Sequence, residues 1–91
     1  MAVFLISYDM VNEDTSHDYG PLWARLRELG CVKTQLSAWY GDLNNTAREV
    51  LDHFKTYLDE DDRMMVIEVT KKPAWNLGLK GTKAFIDSHF A

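Results

Sequence analysis

The chain has 91 residues, of which 46% are hydrophobic and 12% aromatic, and its formal net charge is −4. That length makes a single domain over residues 1–91, and the aromatic content excludes intrinsic disorder. The lone cysteine, Cys31, excludes an intramolecular disulfide and a cysteine-rich zinc site. The acidic balance argues against an anionic membrane surface as partner and, more mildly, against tight nucleic-acid binding.

Val3 to Asp9 reads as an apolar first strand that ends on a carboxylate. Its apolar run is too short to cross a bilayer and carries no basic leader, so the expectation is a cytoplasmic protein with no membrane partner. Residues 10–18 are polar and read as a loop. A helix is predicted from about Tyr19 to Leu29, with Pro21 in its first turn and Gly30 at its end. Leu22, Leu26 and Leu29 recur at helical spacing, and Trp23 widens the stripe. Cys31 to Trp39 alternates as a second strand, and the stretch Tyr40 to Leu43, which contains the turn or bulge signal Gly41-Asp42, is expected to belong to a short third one. Thr46 followed by Glu49 is a capping box, and Ala47, Val50, Leu51, Phe54, Tyr57 and Leu58 form the apolar stripe of a second helix. Asp59-Glu60-Asp61-Asp62 opposes a helix C-terminus electrostatically and so predicts a solvated turn. Arg63 to Thr70 reads as a strand with apolar residues on both faces. Lys71 to Lys80 is irregular, and a short helix from Gly81 or Thr82 to Phe90 follows, with Phe85 and either Ile86 or His89 facing inward. This order fits an α+β, ferredoxin-like β-α-β-β-α-β sandwich with an additional C-terminal tail and short helix. Both helices would then cover one face of the sheet, leaving the other to a second subunit or to the tail.

Few residues carry a chemical signal. Asp9 is either a metal ligand or an Asx-turn residue at the end of the first strand. Tyr8 beside it could bond a phosphate, and Ser37, which shares a strand face with Gln35, could meet a ligand or a partner backbone. Trp39 and Tyr40 could stack on bases, although core packing and a subunit interface suit them better in the absence of nearby basic residues. His17, His53 and His89 have no metal-ligand spacing. His17 lies in the loop after Asp9, where it could serve as a general acid or base, and His53 is expected on the outer flank of the second helix. No nucleophile triad, P-loop or dinucleotide fingerprint is readable.

Three segments taken together resemble the small CRISPR-associated adaptation protein, the dimeric partner of the spacer integrase. They are Ile6-Ser7-Tyr8-Asp9, then Thr34-Gln35-Leu36-Ser37-Ala38-Trp39 with Gly41-Asp42-Leu43, and then Asp61-Asp62-Arg63-Met64-Met65-Val66-Ile67. The resemblance covers roughly residues 2 to 69. It implies a ferredoxin-fold homodimer that works on RNA or DNA as a magnesium-dependent phosphodiesterase. Asp9 would be the Mg2+ ligand and the catalytic residue, shared with a second copy, with Tyr8 and Ser37 at the substrate-binding rim. The loop and first helix depart from the family's basic pattern, because Glu13, Asp14 and Asp18 stand there and no Lys or Arg precedes Arg25. Two other functions are therefore carried alongside: a non-catalytic dimeric scaffold or regulator, and an acidic antitoxin or inhibitor that occupies a basic protein partner.

Overall fold

A computed structural model describes residues 2–9 and 19–90. It is an α+β domain. Strands β1 (Ala2–Asp9), β2 (Val32–Gln35), β3 (Ala38–Leu43) and β4 (Arg63–Glu68) form one sheet with the order β2-β3-β1-β4, and every neighbouring pair is antiparallel. Helices α1 (Gly20–Glu28) and α2 (Ala47–Phe54) lie on one face, and α3 (Thr82–His89) on the other. The two faces follow from the period of two in β1. Phe4, Ile6 and Tyr8 point into a core with Leu22 and Leu26 of α1, Trp39 of β3, and Val50 and Phe54 of α2. Val3 and Leu5 point the opposite way, toward Tyr40, Phe85 and Ile86.

The helices begin and end where local chemistry directs. Pro21 sits in the first turn of α1, and Gly30 leaves the helix at φ +77°. The capping box forms as the sequence predicts: the Glu49 N–H donates to Thr46 Oγ1 at 3.2 Å, and the Thr46 N–H donates to Glu49 Oε1 at 2.8 Å. A 3-10 turn, Lys55–Tyr57, tightens the end of α2. The acidic turn that follows is tied into the fold. Tyr19 donates its hydroxyl to the Asp62 carboxylate, 2.8 Å from each oxygen, and the Asp59 N–H donates to Asp62 Oδ2 at 2.9 Å.

One expectation needs correcting, and two that the sequence left open are resolved. The predicted strand from Cys31 to Trp39 is a hairpin: β2 stops at Gln35, Leu36-Ser37 makes the turn, and β3 starts at Ala38. That turn carries none of the Gly, Asn or Pro residues that announce one. Gly41-Asp42 lies inside β3, not at a turn. Gly41 is needed there because a Cβ would come within 2.7 Å of Cys31 Sγ. Burial pushes that Cys31 thiol up to about 11, which leaves it an inert core group. Finally, the sheet face away from α1 and α2 is not bare. The tail returns over it, with the Leu79 N–H donating to the Thr34 carbonyl at 2.9 Å and Thr82 donating its hydroxyl to Thr34 Oγ1 at 2.8 Å in a buried contact. Helix α3 then buries Phe85 and Ile86 against Tyr40. The cover stops short of β4, where Met65 and Ile67 are 61% and 46% exposed.

Candidate functional site

Asp9 ends β1 directly opposite Arg63, the first residue of β4. This register brings Asp9 Oδ2 to 3.9 Å from Arg63 Nη1, with both side chains largely exposed. The separation is too long for a hydrogen bond, and an exposed pair contributes little, so neither group is committed to the other. Ser7, Tyr8, Asp9, Arg63, Met64 and Met65 line a depression of about 220 Å³ around them. The alternation of β1 puts Ser7 and Asp9 on the sheet face that carries Met65 and Ile67, away from α1 and α2.

The other expected site residues are placed differently. Ser37 lies in the β2–β3 turn, and its carbonyl accepts the Tyr8 N–H at 3.0 Å, which sets this turn beside the end of β1. The hydroxyl of Tyr8 is not at the rim. Tyr8 is buried, and its oxygen accepts indole N–H bonds from Trp23 at 2.9 Å and from Trp39 at 3.2 Å. Period two explains the difference: if Asp9 faces outward on one side of the sheet, Tyr8 must enter the core on the other. The same burial removes Trp39 and Tyr40 as stacking platforms, since both are core residues. His17 lies outside the described residues.

His53 does not stand alone on an outer flank. Arg25 Nε donates to His53 Nε2 at 3.0 Å. The two residues line a cleft of about 350 Å³ between α1 and α2, floored by Leu29, Leu43, Val50 and Phe54. The acids at its edge balance the guanidinium. Glu28 Oε2 is 3.7 Å from Arg25 Nη1, and Glu49 closes the capping box. On α3, His89 stacks on Phe85 with ring centroids 3.9 Å apart. Its Nε2 lies 3.2 Å from Asp42 Oδ2 and its Nδ1 lies 2.8 Å from the Phe85 carbonyl. Asp42 Oδ1 is buried without a hydrogen-bond partner among the described residues. Neither contact was visible in the sequence, because the partners lie on different elements and only packing joins them.

As a metal site, the depression holds one exposed carboxylate, Asp9, among the described residues. Mg2+ binds through one or two carboxylates, keeps several waters and takes the rest from phosphate. Asp9 therefore fits half of such a site, and a second Asp9 from another copy would make the pair. Among the described residues, no three His, Cys, Asp or Glu side chains cluster as metal ligands, and no helix is long and apolar enough to cross a membrane. No family model matches the chain.

Proposed function

We propose that the chain is a ferredoxin-like relative of the adaptation protein, acting as a homodimer on nucleic acid, with Asp9 facing the phosphodiester. Read from its other edge, the sheet runs β4-β1-β3-β2, so β1 and β2 are parallel with β3 between them. This is the order of a split β-α-β pair, and it supports the ferredoxin-like assignment. One observation carries the functional reading. Asp9 is exposed on the same sheet face as Met65 and Ile67, the large apolar side chains that α3 leaves uncovered. A second copy seated on that apolar strip would cover it and would bring two Asp9 carboxylates toward each other.

In this reading the two Asp9 carboxylates hold Mg2+, and Arg63, 3.9 Å from Asp9, is available to a phosphate oxygen. The bound ion would supply polarisation of the phosphodiester. The backbone of Ser37 fixes the neighbouring strand end, and buried Tyr8 anchors that end from the core side. The test is cleavage of labelled RNA and duplex DNA in Mg2+ by wild type and Asp9→Ala. The expected result is activity in wild type and a loss of at least about 100-fold in the variant. Activity that survives in Asp9→Ala removes the ligand assignment.

A non-catalytic dimeric scaffold is the second reading. The Asp9–Arg63 pairing favours it, because among the described residues the one acid lining the depression stands 3.9 Å from a cation. Binding of nucleic acid without cleavage by any form selects it. The acidic-inhibitor reading loses ground, because the Asp62 carboxylate of the acidic turn is engaged with Tyr19 and Asp59 and is not simply offered to a partner.

A further inference from the structure

The net charge of −4 conceals a segregation. Residues 1–68 hold six basic and thirteen acidic side chains, whereas residues 69–91 hold four lysines (Lys71, Lys72, Lys80 and Lys83) against the single acid Asp87. The fold gathers this positive charge. Lys83 bonds Asp87 one helical turn along α3, and that bond, followed by the charges of Lys83 and then Lys72, holds the Asp87 carboxyl below its ordinary range. Lys71 and Lys72 open the irregular segment before α3, and Lys80 stands three residues before Lys83. All four lysines are exposed.

Aromatic and apolar groups are interleaved with them. Trp75, three residues after Lys72, is 43% exposed, whereas Trp39 is buried and Trp23 half-buried. Leu77 is 89% exposed and sits at φ +54°, a left-handed conformation that a leucine adopts only at a cost. The segment is nevertheless fixed to the sheet through Leu79 and Thr82, both bonded to Thr34. It is therefore an anchored segment that presents cations and a part-exposed indole.

We propose that this ridge, from Lys71 to Lys83, is a docking surface for single-stranded nucleic acid, with Lys71, Lys72 and Lys80 on phosphates and Trp75 stacked on a base. A single strand suits it better than a duplex. The stacking face of Trp75 needs an unstacked base, and the irregular backbone offers no helix or ribbon to enter a groove. The assignment rests on the nucleic-acid reading above but not on Asp9 or on a metal.

The experiment is fluorescence titration of a labelled twelve-nucleotide oligo-U and oligo-dT, and of a duplex of equal length, in EDTA. It uses wild type, Lys71→Ala/Lys72→Ala/Lys80→Ala, Trp75→Ala and Trp75→Phe. Three phosphate contacts predict that single-strand affinity falls about 20-fold between 50 and 200 mM salt, with most of that slope lost in the triple variant. Trp75→Ala should weaken binding on the order of tenfold, with Trp75→Phe close to wild type, because a phenyl ring still stacks. Single-strand binding that is unchanged in both the triple variant and Trp75→Ala overturns the ridge and leaves the nucleic-acid reading standing. Duplex binding as tight as single-strand binding overturns the single-strand assignment. No binding by any form overturns both.

Discussion

At the scale of single residues, the approach of Gly41 to Cys31 is an exacting contact in the core. A methyl at Gly41 would stand 2.7 Å from Cys31 Sγ, and the sulfur is held between buried neighbours. Gly41→Ala should therefore cost about 1–3 kcal/mol, read as a lower urea midpoint at unchanged slope. Removing the sulfur as well, in Cys31→Ala/Gly41→Ala, should recover part of that loss, so that the two changes are not additive. Equal losses in the single and double variants would mean that some other contact limits Gly41. The Asp9 position belongs to this scale too. Its carboxylate is exposed because period two sends it to the opposite face from Tyr8, whose hydroxyl accepts the two indole donors.

At the scale of elements, α2 and α3 are held in different ways. Helix α2 is fixed by its own sequence: the reciprocal Thr46–Glu49 bonds satisfy two N-terminal donors, and Val50 and Phe54 enter the core. Thr46→Ala should lower stability by about 1 kcal/mol, and the exposed neighbour change Asn44→Ala should leave thermal denaturation nearly unchanged. Helix α3 depends on what lies beneath it. It joins the sheet through the Thr82–Thr34 hydroxyl pair and the stacking of Tyr40 on Phe85, centroids 5.4 Å apart. The helices, their caps and the inward-facing residues of α1 and α2 could be read directly along the chain, because those signals lie within one or two turns. The β2–β3 turn could not. Ser37 is only a weak turn former and Leu36 is none, so pairing of the flanking strands imposes the reversal.

At the scale of the whole molecule, the sheet is sandwiched over most of its area, and β4 forms an edge whose Met65 and Ile67 remain in water. Exposed apolar side chains on an edge strand invite pairing with another chain. The homodimer proposed above should therefore appear as a dimer in sedimentation equilibrium at micromolar concentration. Met65→Lys/Ile67→Lys should be monomeric with little change in helical circular dichroism. A wild-type monomer would withdraw the shared Asp9 site along with the dimer. The lysine ridge is independent of this outcome, since Lys71, Lys72, Lys80 and Trp75 all belong to one chain.

The sequence by itself determined the element types, the capped ends of the helices, the two-faced character of β1 and the emergence of Asp9 from it, because each depends on periodicity or on contacts a few residues apart. It did not determine which strands would be neighbours, that α3 would close most of the second sheet face, or that Tyr8 would be sealed beneath two indoles. Nor did it show the Arg25–His53 and Asp42–His89 contacts. Those features join residues that are remote along the chain, and their energies exist only once the sheet has brought the partners within a few ångströms.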